Sequence, residues 1–387
     1  MKTKKNSIHL FFLIDALGWE YIKNRGFLRE LLPYQTSLET ILGFSSAAIP
    51  SILTGKYPSG HGRWNLFYYS PESSPFGWTK RLHFLPESIL NTRYVRKGIN
   101  VISKQLSGYE GYFSSYGVPA KLLPYFDICE KNNIYQPESF PNSDNIFDVF
   151  VNHGISYRAY TYHSHTDEEA LSETLKEITD HPKPVYFLYL SELDAFLHRF
   201  CKHPDRIQEK LDWYENRLRE ILATAEKSFG SVRSFVFSDH GMTPIKSTHN
   251  LLGLLQQLES RVPRDFIYAL DSTMARFWFL NAKSEEEITR LLSGQTFGRI
   301  LNEEDLKAYG IKFSDNEYGD LIFLMNPGGL IFPSFMGKIP FEGMHGFAPE
   351  DANSYGSFLT NCSDIVSPQK ITDLFELFSQ EIDRIEE

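Results

Sequence analysis

Three cysteines in 387 residues, Cys129, Cys201 and Cys362, are too few and too far apart for a disulfide framework or a thiolate metal knot. Their scarcity favours a reducing compartment. Positive charge is also short. The chain has 39 Lys and Arg against 49 Asp and Glu, a formal charge of −10, which excludes a binder driven by attraction to duplex nucleic acid. Long apolar runs are missing. The opening MKTKKNS is basic and the following IHLFFLI is apolar, but that run ends after seven residues on Asp15. A bilayer span needs roughly 20 apolar residues, and a secretory signal needs a small-residue cleavage site. The expectation is therefore a cytoplasmic protein without a membrane span. No repeat, low-complexity tract or flexible linker interrupts the chain.

What is present is a set of short apolar runs of the kind that form buried parallel strands: Ile8–Ile14, Ser156–Tyr162, Val185–Leu190 and Val232–Phe237. Helical patterns separate them. Thr166–Lys176 opens with a capping box, Thr166 and Glu169. Asp205–Phe229 carries Ile207, Leu211, Tyr214, Leu218 and Ile221 on one face and stops near Gly230. Ile371, Leu374, Phe378 and Ile382 form a stripe near the C-terminus. This alternation predicts an α/β fold, a mostly parallel central sheet flanked by helices, as a single domain over residues 1–387. Two stretches break the rhythm. Residues 66–130, rich in Tyr, Phe, Pro, Ser and Gly, read as an insertion. Residues 255–340 mix short β-like pieces with Gly and Pro and read as a small α+β cap.

The chemistry-bearing residues sit where the apolar runs end. Asp15 follows the first run. Val185–Leu190 leads into SELDAFLHRF, with Asp194 and His198 one helical turn apart. Val232–Phe237 leads into SDHGM, with Asp239 and His240 adjacent. FEGMHGFAP adds His345 between glycine-containing turns. Each alone has an ordinary reading, since Asp caps helices and Asp/His pairs at i, i+4 are common on solvated helices. Together they offer six hard or borderline ligands without a thiolate at the carboxyl ends of strands, where open α/β sheets bind ligands. Such a set suits two ions of Zn²⁺ or Mn²⁺, with iron admissible. Ser45 and Ser46 stand in a small polar turn before the helical stretch Ala47–Leu53. Either could be a nucleophile in the field of a helix start, or simply its cap.

The order Asp15, Ser45 with Thr54-Gly55-Lys56-Tyr57-Pro58 and His61-Gly62, Asp194-xxx-His198, Ser238-Asp239-His240-Gly241-Met242 and His345-Gly346 resembles the alkaline phosphatase superfamily. Within it the chain is most similar to the nucleotide pyrophosphatase/phosphodiesterase branch. The resemblance implies an alkaline-phosphatase-like fold. It assigns one metal to Asp194, His198 and His345 and the other to Asp15, Ser45, Asp239 and His240. It selects Ser45 as nucleophile, nine residues before Thr54, and Asn65 as a donor to a phosphoryl oxygen. The implied activity is metal-dependent hydrolysis of a small-molecule phosphodiester or pyrophosphate through a phosphoserine. Phosphoryl transfer to an alcohol, phosphomonoester hydrolysis and a catalytically decayed binding protein are the alternatives.

Departures from the family pattern bear on the substrate. Nucleotide-cleaving members often carry an aromatic after the nucleophile, and this chain has Ser46. Phe67, Tyr68, Tyr69 and Trp78 could supply stacking instead, although packing is the commoner role of such residues. The serine segment lacks the Pro and Arg of a sulfatase. Arg63 and Arg276 are the candidates to hold the extra charge of a monoester, and an Asp271–Arg276 ion pair is the simpler expectation for the latter. His163 and His165 precede the capped helix and read as surface residues. His9, inside the first strand, reads as structural.

Overall fold

The computed structural model describes residues 5–337 and 339–386; Met1–Lys4, the start of the basic opening, lie outside them. The first apolar run becomes strand β1 (Lys5–Ile14), which has a neighbour on each edge and a core on each face. Side chains alternate across a strand. Phe11 and Leu13 therefore enter one core with Phe187, Phe235 and Phe237. Ile8, Leu10, Phe12 and Ile14 enter the other with Leu188 and Leu190. A strand covered on both sides needs an unbroken apolar run, which explains why the sequence shows no polar alternation there.

Seven strands are numbered here. They are β1, β2 (Tyr34–Leu38), β3 (Phe67–Tyr69), β4 (Phe126–Ile128), β5 (Tyr157–Tyr160), β6 (Val185–Leu190) and β7 (Phe229–Phe237). The central sheet runs β2, the strand Gly356–Thr360, β7, β1, β6, β5. β7, β1, β6 and β5 are parallel, and Gly356–Thr360 is antiparallel to both its neighbours. The sheet is thus mixed, with a parallel centre. The helix Pro204–Ser228 covers one face through Ile207, Leu211, Tyr214, Leu218 and Ile221. It passes directly into β7 at Phe229, ahead of the glycine at which the sequence pattern places its end. Ser45–Thr54 and Leu374–Glu386 cover the other face, with Ile49, Ile52, Phe378 and Ile382 inward. The helix Asp167–Asp180 starts with the expected capping box: Glu169 N donates to Thr166 Oγ1 at 3.3 Å, and Thr166 N donates to Glu169 Oε2 at 2.8 Å.

The two irregular stretches share one core. Residues 266–325 carry a four-stranded antiparallel sheet with the helix Ala282–Ser293 against it. Its Phe266, Phe277 and Ile288 pack in the same cluster as Phe67, Phe76 and Phe126 of the earlier stretch. The two join in space although nearly 140 residues of sheet and helix separate them in the chain.

Parallel register is what assembles the site. Ile14 lies opposite Leu190, and Leu13 opposite Phe237. β1, β6 and β7 therefore end at one edge and release Asp15, the Asp194 segment and Asp239 side by side. At the exit of β7, Gly241 is required by proximity rather than by a left-handed turn. A Cβ there would stand 2.2 Å from the Asn353 carbonyl oxygen.

Candidate metal centre and nucleophile

The structure draws the six Asp and His candidates into two neighbouring groups. Asp15, Asp239 and His240 form one; Asp194, His198 and His345 form the other. Within each group the ligating atoms lie within 4.8 Å of one another. The division is the one the family resemblance implies. His240 Nε2 is 3.5 Å from Asp15 Oδ1 and 3.2 Å from Asp239 Oδ2. In the second group Asp194 Oδ2 is 3.2 Å from His198 Nε2, and its Oδ1 is 3.4 Å from His345 Nε2. The groups touch through the His240 and His345 rings, which stack 3.8 Å apart at 14°.

Hydrogen bonds aim the imidazoles. His240 Nδ1 donates to the Gly241 carbonyl and His198 Nδ1 to the Gly343 carbonyl, each at 2.9 Å. A carbonyl only accepts, so each ring carries its proton on Nδ1 and offers the Nε2 lone pair inward, as a metal-binding histidine must. Ala16 N donates to Asp239 Oδ1 at 3.3 Å. Tyr189, at the end of β6, donates its hydroxyl to Asp15 Oδ2 at 2.5 Å.

The donor set fits divalent ions. Asp15 Oδ1, Asp194 Oδ1 and Asp239 Oδ2 are buried oxygens without a hydrogen-bond partner, a costly condition for carboxylates. Burial and the charges of Asp239 and Asp194 push the Asp15 carboxyl well above its usual range. Burial alone would raise Asp194 too, but His198 and His345 hold it below the ordinary carboxylate value. Burial and the adjacent His240 drive His345 down, favouring its neutral, ligating form. Asp15, Asp194, His198 and His345 line a cavity, and among the described residues no Lys or Arg lines it to neutralise them.

Ser45 begins the helix Ser45–Thr54 and sets its hydroxyl 3.1 Å from His240 Nε2, against the first group. Ser46 turns its own hydroxyl to the Trp64 carbonyl at 3.0 Å. Asn65 is buried and lines the same cavity as Ser45. Its amide nitrogen meets only the Met274 sulfur, at 3.4 Å, and its oxygen has no partner.

The cavity, of about 280 Å³, is lined beyond these residues by Phe67, Tyr112, Tyr116, Tyr135, Tyr162 and Glu130. Of the four aromatics singled out in the sequence, Phe67 alone reaches it. Tyr68 bonds Asp127 at 2.9 Å, Tyr69 stacks on Trp278, and Trp78 bonds Ser103 at 3.0 Å. Asp271 lines the cavity but pairs with the fully buried Arg276 at 2.7 Å. Arg63 bonds the Ser139 carbonyl and lies over Phe140, away from the cavity. His163 and His165 join neither ligand group. His9 is buried in the sheet, 3.7 Å from Glu381. Tyr189, Glu130 and the four cavity tyrosines carry no local sequence signal.

Two outcomes follow from this geometry. Tyr189→Phe removes the support of Asp15 and should weaken metal retention by about 10- to 100-fold, as losing an outer partner of a ligand does. Isothermal titration with Zn²⁺ measures this, and unchanged affinity would contradict the role. Burial pushes the Glu130 carboxyl up to about 7, opposed by Arg63. The native state therefore holds that proton more tightly than the unfolded chain, so stability falls as pH rises from about 4.5 to 7 and the full cost persists above 7. Glu130→Gln should be more stable than the parent at pH 8 by about 1–2 kcal/mol and equal to it near pH 4.5. Denaturant titrations at the two pH values test the sign.

The family model for type I phosphodiesterase/nucleotide pyrophosphatase matches residues 9–348. Among curated proteins no sequence matches the chain. Among solved structures, human ectonucleotide pyrophosphatase/phosphodiesterase 5 superposes with a TM-score of 0.68 at 14% identity, covering 97% of this chain and 94% of that one. The murine protein superposes at 0.67 and 14% identity, covering 97% of this chain and 95% of that one. An inactive murine variant in complex with AMP does so at the same score and identity, covering 98% and 95%. At that identity the likeness establishes the fold, an alkaline-phosphatase-like α/β architecture. With the family model spanning both ligand groups and Ser45, the chain belongs to the type I phosphodiesterase/nucleotide pyrophosphatase family and is a phosphodiesterase-like hydrolase.

Proposed function

We propose that this chain cleaves a phosphodiester or pyrophosphate bond of a small molecule through a phosphoserine on Ser45, with two divalent ions as cofactors. Zn²⁺ suits the donor set best, and Mn²⁺ is compatible with it. The observation that carries the reading is the Ser45 hydroxyl 3.1 Å from His240 Nε2, at a helix start beside two Asp/His groups. Asp15, Asp239, His240 and Ser45 would hold one ion, and Asp194, His198 and His345 the other. Bound there, the ions would lower the serine's pKa and offset charge on the leaving oxygen.

The chain's own residues supply the rest. Ser45 Oγ attacks phosphorus in line, the ester oxygen opposite departs, and water later breaks the Ser45–phosphorus bond to free the serine. The Ser45 and Ser46 backbone N–H groups at the helix start would offer donors to phosphoryl oxygens, since a helix terminus favours anions. The Asn65 amide is a donor with only a weak sulfur acceptor to leave, so it can meet a developing oxyanion at small cost. Tyr189 keeps Asp15 in place.

The cavity walls bear on the substrate. Among the described residues no Lys or Arg lines the cavity, which disfavours a monoester dianion. Four tyrosines offer flat faces to a ring, and a structural relative was solved with AMP, so a nucleotide diester is a reasonable first candidate. Three free, buried cysteines support the cytoplasmic assignment. Retention of a serine and all six ligands speaks against a decayed binding protein.

The test is hydrolysis of bis-nitrophenyl phosphate and nitrophenyl phosphate by metal-reconstituted protein. Diester turnover should exceed monoester turnover. Chelation should abolish it, and Ser45→Ala should lower it by at least about a thousandfold. Monoester preference, or full activity without Ser45, would overturn the reading.

A further inference from the structure

The helix Arg93–Ser107 is turned inside out relative to an ordinary surface helix. Its inward side is thin. Ile99 is buried in the core shared with the cap, and Ser103, one turn on, accepts the Trp78 indole hydrogen at 3.0 Å. Its outward side carries the larger apolar groups, Tyr94 (86% exposed), Val101 (57%), Ile102 and Leu106 (69%). Spacings of seven, eight and twelve residues set these in one broad stripe. Phe84 (80%) and Ile89 extend the surface before the helix. Six of the eleven exposed large apolar side chains of the described structure thus fall within 23 residues, a concentration that marks an interaction surface.

Charge indicates what covers it. Between Lys80 and Ser107 stand six cations and one acid, Glu87, in a chain whose net charge is −10. Lys80, Arg81, Arg93, Lys97 and Lys104 are exposed, and none of the five forms an ion pair with a carboxylate among the described residues. Arg93, Lys97 and Lys104 flank the apolar stripe along one side, the arrangement of a helix lying in a membrane interface. A second copy apposed through the same surface would set cation against cation. No helix of the described residues is long and apolar enough to cross a membrane, so the contact is peripheral.

We propose that residues 80–107 dock on an anionic lipid surface, with Tyr94, Val101 and Leu106 entering the headgroup boundary and Arg93, Lys97 and Lys104 on the lipid phosphates. The consequence reaches the site. Tyr112 and Tyr116, which line the cavity and share a 2.8 Å hydrogen bond, follow the helix end by five and nine residues. Five residues of extended chain reach at most about 17 Å, so docking would bring the Tyr112 side of the cavity wall within about that distance of the docked helix end.

The test is sedimentation of the intact protein with phosphatidylcholine vesicles, with and without phosphatidylserine, at low and high salt. The protein should bind the anionic vesicles at low salt and leave them at high salt. Each attractive Lys or Arg near the surface accounts for about fivefold in partitioning, so Arg93→Gln with Lys97→Gln should lower it about 25-fold. Tyr94→Ser with Val101→Ser and Leu106→Ser should lower it at least about tenfold. Both variants should hydrolyse a soluble diester like the parent, which shows that they fold. Absence of hydrolysis in all three proteins would count against the phosphodiesterase reading and leave the vesicle result standing. The proposal is overturned by equal binding to neutral vesicles, by no binding at low salt, or by variants that bind as the parent does. It is likewise overturned if Leu106→Ser abolishes a concentration-dependent dimer while vesicle binding is absent, which would assign the surface to a second copy, or if the surface captures an acidic protein in place of the vesicles.

Discussion

Three carboxylates, Asp15, Asp194 and Asp239, meet at one edge of the central sheet, each with a buried oxygen that no hydrogen bond reaches. Burying even one unpaired carboxylate costs several kcal/mol. Among the described residues no Lys or Arg lines the cavity, and the cationic partners of these acids are imidazoles whose Nε2 atoms point inward. The arrangement is poor as a structural device and natural as a cation site. Much of the surrounding architecture serves to hold that unfavourable cluster. The register of β7, β1 and β6 delivers the three acids together, Tyr189 and Ala16 N satisfy one oxygen each, and backbone carbonyls fix two of the rings. Because such a site is preformed only in the folded chain, metal affinity and folding stability are linked.

The same cluster orders the rest of the site. A helix start beside the cluster places Ser45 where an anion is favoured and where a lowered serine pKa is most effective. Tyr112 and Tyr116, with Tyr135 and Tyr162 further along the chain, build a cavity wall of tyrosines. Ligand chemistry and substrate recognition thus come from different parts of the fold. The first comes from the sheet edge. The second comes from loops and short strands that pack on that sheet.

How much of this was legible in the sequence follows from that division. Asp15, Asp194, His198, Asp239 and His240 were readable because each follows an apolar run that can only be a buried strand. His345 was readable as a histidine in a glycine-rich loop. Strand β2 and the strand Gly356–Thr360 were not. Both are short and rich in Ser and Thr, and their antiparallel pairing arises between segments more than 300 residues apart. The tyrosine wall was invisible for the same reason, since Tyr112, Tyr135 and Tyr162 lie far apart in the chain and only tertiary packing makes them neighbours. The constraint on Gly241 is the Asn353 carbonyl, which no local pattern encodes. Ser45 and Ser46 were equivalent from composition alone. Motif spacing selected Ser45, and the structure separates the two by what each hydroxyl faces.

The central claim is that the six Asp and His residues form two distinct divalent-ion sites rather than one site or a network of ion pairs. The most direct measurement is the metal content of the folded protein by native mass spectrometry after Zn²⁺ loading, for the parent and for Asp194→Ala and Asp239→Ala. The account predicts two ions per parent chain and one in each variant that remains folded. One ion or none in the parent, or two retained in a folded variant, would contradict it.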